Sequence, residues 1–315
     1  EPGGLEDPSP AQQAWNVAAT PGAPETMIAS GPGAASRLTT ATFAFASTAG
    51  GSTFTCTLDG VAAPCTSPVT YTSVLEGTHA FRVAATSPGG LTDPTPATHD
   101  WRVDTTAPTV TMSLPSAAFA FSTRVSLGWS GEDTGTIPIY RIRYRSAPSN
   151  GGFGSHVVWR QQATSSATFT GAAGRTYCIS VQAVDDAGNV SAYTPERCTA
   201  IALDDRSASV SGFERRFGSV FSFGTVSVAR TAGARMILGN LRAGSLAVRV
   251  QMCSACRYLE AYWNGRLLKR MSLASATARI VTVGLATFPG VQSGTLTLVV
   301  RTPAVVVDAV AASQA

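Results

Sequence analysis

The chain consists of short runs in which apolar and polar residues alternate, and this alternation limits what it can fold into. Thr40–Ser47 (TATFAFAS) and Thr78–Thr86 (THAFRVAAT) are typical, and alternation puts Phe43 and Phe45 on one face of the first run. Clusters rich in Gly, Pro and Asp, such as LDG, SPGG and TDPTP, separate these runs. No segment keeps the 3.6-residue apolar period of a helix. The pattern predicts an all-β protein.

The composition agrees with an all-β protein and argues against nucleic-acid partners and membrane spans. Hydrophobic residues make up 44% of the 315 residues, enough for several cores, whereas charged residues make up only 13%. The net charge of +4 comes almost entirely from arginine and is spread along the chain without a basic block, so no nucleic-acid partner is expected. No stretch approaches the roughly 20 apolar residues of a membrane-spanning helix, so no membrane span is expected.

Two proline-led strands mark the domain boundaries. Ala23–Ile28 (APETMI) and Ala107–Met112 (APTVTM) each follow a Trp-x-Val motif, and a further boundary falls near Asp204–Ser207 (DDRS). Several short strands per segment favour β-sandwiches. The sequence therefore predicts three tandem β-sandwich domains, which cover residues 21–106, 107–203 and 204–315.

The N-terminal segment repeats a later one. Glu1–Val17 matches Ser87–Val103 at ten of seventeen positions, and Ser87–Val103 closes the first predicted sandwich. We therefore expect residues 1–20 to be the terminal strand of a preceding repeat, and the chain to be cut from a longer array. An alternative is that this orphan strand adds to the sheet of another subunit.

Three resemblances follow from these segments. The segment Thr39–Val103, with the motifs F-x-C-x-L-D-G, GTH-x-F-x-V and DPTPA-x-x-x-W-x-V, resembles the tandem Ig-like repeats of large bacterial secreted and surface proteins. Trp129, Tyr177 and the predicted last hairpin VQAVDDAGNVSAY resemble a fibronectin type III module. The segments RYLEAYWNGRLLKRMSL and VVVDAVAAS resemble jelly-roll, carbohydrate-binding-module-like domains of secreted actinobacterial proteins. These resemblances imply Ig-like, fibronectin type III-like and jelly-roll-like sandwiches in that order.

The six cysteines fall as one close pair in each third of the chain. Local pairing is the simplest interpretation, and it implies an oxidising location, secreted or at the cell surface; free buried thiols are the alternative. The pairs are Cys56 with Cys65, Cys178 with Cys198, and Cys253 with Cys256. The last pair, Cys-Ser-Ala-Cys, lies between strand-like segments and lacks nearby histidines, so a structural role is favoured over a redox or zinc site.

One hairpin concentrates aromatic residues. Tyr258, Tyr262, Trp263 and Arg266 form a candidate contact surface that could stack on sugar rings or on another protein. The alternative is a set of alternating core and rim residues, because strand alternation buries half of the side chains.

Metal and catalytic sites are not expected. Asp185, Asp186 and Asn189 offer too few oxygens for calcium, and a turn is favoured. The three histidines His79, His99 and His156 lie on predicted strands, and we expect them to have packing or surface roles. No cofactor-binding motif is present, so no cofactor is expected.

These features together predict a non-enzymatic extracellular protein with a structural or adhesive function. A polysaccharide-binding accessory region of a larger secreted enzyme is the second hypothesis, and a filament subunit that assembles by strand addition is the third. The corresponding partners are cell-surface glycans, other protein subunits, or copies of the chain in an oligomer or fibre.

Overall fold

The computed structural model of the chain describes residues 22–315, so the expectation for residues 1–20 lies outside the described part. Within this part, the helical segments are two single 3-10 turns, Asp205–Ser207 and Ser222–Gly224. None of its helices has the length and apolarity needed to cross a membrane. The prediction of an all-β chain of β-sandwich domains is confirmed.

The strands are short in the first two thirds and long in the last. Residues 22–105 contain β1 (Thr26–Ser30), β2 (Ala35–Ser36), β3 (Ala41–Ser47), β4 (Thr53–Leu58), β5 (Val61–Cys65), β6 (Val69–Tyr71), β7 (Gly77–Thr86) and β8 (Ala97–Val103). Residues 106–202 contain β9 (Thr109–Leu114), β10 (Phe119–Ala120), β11 (Arg124–Glu132), β12 (Ile139–Pro148), β13 (Val157–Gln162), β14 (Ser166–Thr170), β15 (Arg175–Val184) and β16 (Arg197–Ile201). Residues 203–315 contain β17 (Leu203–Asp204), β18 (Ser209–Ser211), β19 (Phe213–Phe217), β20 (Thr225–Ala229), β21 (Arg235–Met252), β22 (Tyr258–Trp263), β23 (Arg266–Ser272), β24 (Arg279–Val300) and β25 (Val306–Ser313).

The chain divides into two compact units, of which unit 1 ends at Thr105 and unit 2 begins at Thr106. Unit 1 has two sheets, with strand orders β1-β3-β6 and β2-β8-β7-β4-β5. Alternation along β3 turns Phe43 and Phe45 inward, as the sequence pattern predicts. The ring of Phe43 stacks on that of Phe81, with centroids 3.9 Å apart. An aromatic core therefore holds the two sheets together.

Unit 2 contains two sandwiches, here called the middle sandwich (residues 106–202) and the C-terminal sandwich (residues 203–315). The middle sandwich has sheets β10-β16-β15-β12-β13 and β14-β11-β9 around Trp129, Ile142 and Tyr177. The predicted last hairpin is irregular: Val184 makes a single bridge to Val190, and regular pairing resumes only in β16.

The C-terminal sandwich is one nine-stranded sheet that curls around its own core. Its main order is β19-β20-β25-β21-β24-β22-β23, with β17 on β25 and β18 on β21. The two longest strands, β21 and β24, shift register at Leu238/Leu241 and Ala243/Ser245. Such irregularities bend a strand, so β21 contributes inward side chains to the core along its whole length.

Two-residue turns reverse the chain in the β4–β5 and β22–β23 hairpins. Asp59-Gly60 joins β4 to β5, and Asn264-Gly265 joins β22 to β23. All four residues have positive φ, between 49° and 86°. Two-residue hairpin turns of the type that matches strand twist need positive φ at both positions, which Asp, Asn and Gly tolerate best. The sequence therefore fixes where both hairpins reverse.

The two sandwiches of unit 2 share an alanine-lined interface. Four buried alanines pack with phenylalanines from both sandwiches, and they are Ala202, Ala247, Ala309 and Ala311. Gln314 adds hydrogen bonds from its backbone N–H to Thr176 Oγ1 (3.2 Å) and from Nε2 to the Pro148 carbonyl (2.7 Å). Small side chains let the two backbones approach closely, so the sandwiches bury surface against each other.

Candidate functional site

Polar and aromatic side chains gather on the outer face of β21, β24, β22 and β23. Cross-strand pairing puts Arg235 opposite Val299, Val299 opposite Glu260, and Glu260 opposite Arg270. Directly opposed residues share a face of the sheet. We call this surface the Glu260 face, and its members are Arg235, Tyr258, Glu260, Tyr262, Arg270, Thr297, Val299 and Arg301.

Glu260 is the fixed centre of this face. Its side chain accepts hydrogen bonds from Arg270 Nε at Oε1 (2.8 Å), and from Arg301 Nε and the Tyr262 hydroxyl at Oε2 (2.8 and 2.7 Å). The residue is only 3% exposed. These bonds, led by that from Arg301, lower the pKa of Glu260 to about 2. The charged carboxylate therefore locks two arginines and a tyrosine in place.

A cleft of about 310 Å³ opens beside this network. Arg235, Tyr262, Gly265, Thr297, Val299 and Arg301 line it. The side chain of Arg235 is exposed, and within the described residues its guanidinium makes no hydrogen bond or ion pair. The cleft thus combines an ordered guanidinium, an unpaired guanidinium and a tyrosine edge, which can bind a polar ring through stacking and hydrogen bonds.

Tyr258 extends the same face next to Glu260. Its side chain is 45% exposed, and the guanidinium of Arg270 lies 5.4 Å from its ring centroid. Tyr258, Glu260 and Tyr262 alternate along β22, so all three point outward. An exposed aromatic and an ordered polar network are therefore adjacent.

The structure separates the four residues of the predicted contact surface. Tyr258 and Tyr262 belong to the Glu260 face, and Arg266 is exposed at the start of β23. Trp263 belongs instead to the core: it is 8% exposed and packs against Phe288, with ring centroids 5.4 Å apart. Trp263 therefore offers no stacking surface, and the alternative of alternating core and rim residues describes it correctly.

Sequence reasoning missed the acidic and basic centre of the face. Tyr258, Glu260 and Tyr262 are two residues apart along one strand, so alternation alone places Glu260 on the same face as the two tyrosines. Arg235 and Arg301 come from β21 and from the segment after β24, and the local sequence carries no signal that they meet.

All six cysteines form disulfides. Cys56–Cys65 closes the β4–β5 hairpin, Cys178–Cys198 joins directly opposed residues of β15 and β16, and Cys253–Cys256 closes the loop after β21. The described chain has no free cysteine. The Cys-Ser-Ala-Cys motif lies in an irregular loop rather than at a helix N-terminus, where a thiol pKa would be lowered.

Asp185 closes a turn. One carboxylate oxygen accepts the Asn189 backbone N–H at 2.7 Å and the other accepts Asn189 Nδ2 at 2.9 Å. Gly188, with a φ of 90°, completes the reversal. Asp186 accepts a bond from the Thr136 hydroxyl at 3.1 Å. Asp185 and Asn189 therefore hold the turn closed, and Asp186 links it to the segment before β12.

The three histidines contact carboxylates or carbonyls. His79 bonds to Asp59 and the Leu75 carbonyl, His99 to the Pro32 carbonyl, and His156 to Glu196. His99 also packs against the Phe43 ring. These contacts give each histidine a structural role.

Comparison with known proteins finds low-scoring structural similarities alone. No protein-family model and no curated protein matches the chain. Among solved structures, the fibronectin(III)-like modules of CbhA from Clostridium thermocellum match at 17% identity and a TM-score of 0.36, covering 57% of this chain and 94% of that one. The C-terminal CBM6 of LamC from Zobellia galactanivorans matches at 12% identity and a TM-score of 0.28, covering 36% and 97%. A carbohydrate-binding module of Cellvibrio mixtus lichenase 5A, solved with cellotriose, matches at 12% identity and a TM-score of 0.28, covering 36% and 96%.

Proposed function

We propose that this chain is a non-enzymatic, extracellular protein whose C-terminal sandwich binds polysaccharide through the Glu260 face. The observation that carries the proposal is the carboxylate of Glu260, which holds Arg270, Arg301 and Tyr262 in fixed positions beside the cleft. A preorganised polar network next to an exposed aromatic loses little entropy when a sugar ring binds. Three disulfides support an oxidising extracellular location.

Binding of the full chain to a glycan array and to insoluble polysaccharides tests the proposal. We expect Tyr258→Ala to weaken binding about tenfold, because it removes the exposed ring from the face. Phe217→Ala is the matched control, since Phe217 is an 82% exposed aromatic of the same sandwich on β19. Absence of binding to every glycan, or equal loss in both variants, would refute the proposal.

A structural or adhesive role is a second candidate. Each sandwich carries its own disulfide, and the alanine-lined interface joins the two sandwiches of unit 2. A disulfide reduces the conformational freedom of the unfolded chain and so stabilises the domain that contains it. Retention of the chain on cells by a protein ligand, with no glycan bound, would favour this candidate.

The filament hypothesis depends on residues 1–20 and stays a prediction. Size-exclusion chromatography with light scattering at high concentration tests it, and a monodisperse monomer would exclude assembly by strand addition.

A further inference from the structure

The positive charge of this protein is concentrated in its last third. Residues 204–315 contain thirteen Lys or Arg and five Asp or Glu, a net charge of +8, whereas residues 1–203 carry −4. The prediction of an excess spread along the whole chain is therefore wrong, because the value of +4 is the sum of two regions of opposite net charge. A domain with such an imbalance attracts anionic partners.

Four of the five acidic residues of the C-terminal sandwich are buried. Asp205 and Asp308 are buried, at 1% exposure each, and burial raises the pKa of both carboxyls. Asp204 is buried and paired with Arg206, and Glu214 is paired with Arg230. Glu260 is buried beneath Arg270 and Arg301. Glu214 is the partly exposed member of the five, so the surface charge of the sandwich is mainly positive.

The Glu260 face also has more positive than negative groups. Three guanidinium groups, those of Arg235, Arg270 and Arg301, share this face with the single carboxylate of Glu260. Both oxygens of that carboxylate already accept hydrogen bonds, from Arg270 on one side and from Arg301 and Tyr262 on the other. A ligand in the cleft therefore meets mainly N–H donors, and the unpaired Arg235 offers a planar fork that fits a carboxylate or sulfate.

We propose that the Glu260 face selects acidic polysaccharides, with a carboxylate or sulfate group of the sugar bound between Arg235 and Arg301. This inference rests on the proposed function and names its substrate class. Nucleic acid fits less well, because single-strand binding uses successive exposed aromatic rings along a groove. Here one cleft adjoins Tyr258, and Arg270 already lies against the Tyr258 ring.

Binding of the full chain to matched polymers tests this selectivity. The pairs are polygalacturonate with its methyl ester and dextran sulfate with dextran, which separate carboxylate from sulfate recognition, and a DNA oligonucleotide of similar charge is included. We expect tighter binding to at least one acidic polymer than to its neutral partner, by about tenfold or more at about 50 mM NaCl, with weakening at about 500 mM NaCl. Equal binding to acidic and neutral polymers would overturn the acidic preference and leave glycan binding intact. Equal or tighter binding to DNA would overturn the polysaccharide assignment.

A pair of arginine variants locates the site. Arg235→Ala is expected to weaken binding to the acidic polymer about tenfold, and Arg235→Lys to restore part of the loss. Arg279→Ala is the matched control: it removes the same exposed charge at the far end of the β21–β24 ladder, where Arg279 pairs with Met252. Binding by this control is expected to stay within about twofold of the unmodified chain. An equal loss of affinity in Arg235→Ala and Arg279→Ala would show diffuse electrostatic attraction and would overturn the assignment of the site to Arg235. Because the guanidinium of Arg235 has no hydrogen-bond or ion-pair partner among the described residues, unchanged thermal unfolding is expected for its variants.

Discussion

The Nδ1 atom of His79 lies 2.7 Å from Oδ2 of Asp59. On the opposite side of the ring, Nε2 lies 2.7 Å from the carbonyl oxygen of Leu75. Both partners are acceptors, so only the doubly protonated ring donates to both. Burial lowers the pKa of His79, but the bonds to Asp59 and Leu75 outweigh it and raise the pKa above 6.5.

This pair makes the stability of unit 1 depend on pH. Because the pKa of His79 is higher in the folded state, its contribution is fully present below about 6.5 and is lost as pH rises through the folded value. NMR titration of the His79 ring should give a pKa above 6.5, and Asp59→Asn should lower it. Glu25→Gln, an acid elsewhere in unit 1, should leave it unchanged. A folded pKa at or below 6.5 in the unmodified chain would contradict this account.

The second prediction concerns Trp263. Because its ring is buried against Phe288 and Gly294, Trp263→Ala should lower the free energy of unfolding by about 3–5 kcal/mol. Urea unfolding of the full chain measures this value. The exposed Phe217→Ala serves as control and should change stability by less than about 0.5 kcal/mol. Native-like stability of Trp263→Ala would show that the ring is not a core element.

The third prediction concerns acid stability. The pKa of Glu260 is about 2 in the folded state and about 4.5 ordinarily, so its stabilising contribution is present above about 4.5 and is lost as pH falls towards 2. Urea unfolding between these limits should show a smaller pH dependence for Glu260→Gln. Tyr262→Phe removes one donor and should have a smaller effect. An unchanged pH dependence in Glu260→Gln would refute the assigned network.

The fourth prediction concerns the cross-link of the middle sandwich. Replacing both Cys178 and Cys198 by Ser frees a loop with a sequence separation of 20 residues, and this should cost about 3 kcal/mol. Calorimetry should show the transition of unit 2 shifted down by about 6–12 °C. The double variant of Cys56 and Cys65 is the control, since it should shift only the transition of unit 1.

The fifth prediction concerns the interface within unit 2. Ala247→Asp places a carboxylate among buried alanines, where a charge without a partner is costly. We expect the single calorimetric transition of unit 2 to split into two or to move down sharply. Gln314→Ala keeps the backbone N–H and removes only the hydrogen bond from Nε2 to the Pro148 carbonyl, at a cost of about 1 kcal/mol, and should keep one transition. Separate melting of the two sandwiches in the unmodified chain would contradict a shared cooperative unit.

The class of the fold and its local chemistry follow from patterns along the chain. The alternation of apolar and polar residues places Phe43 and Phe45 on one face, and that face lies in the core. The Asp59-Gly60 and Asn264-Gly265 pairs mark where two hairpins reverse. These features depend on neighbours along the chain, so a local pattern contains them. Tyr258 and Tyr262 were among the four residues of the predicted contact surface.

Which distant residues share the site depends on how the strands pack in the folded chain. Glu260 meets Arg301 because β24 returns beside β22, and Arg235 joins them from β21. The same packing turned Trp263 inward over Gly294, although its type suggested a contact residue. Side-chain period assigns two faces to a strand, but which face is buried depends on the sheet that covers it, and this information lies outside the local sequence.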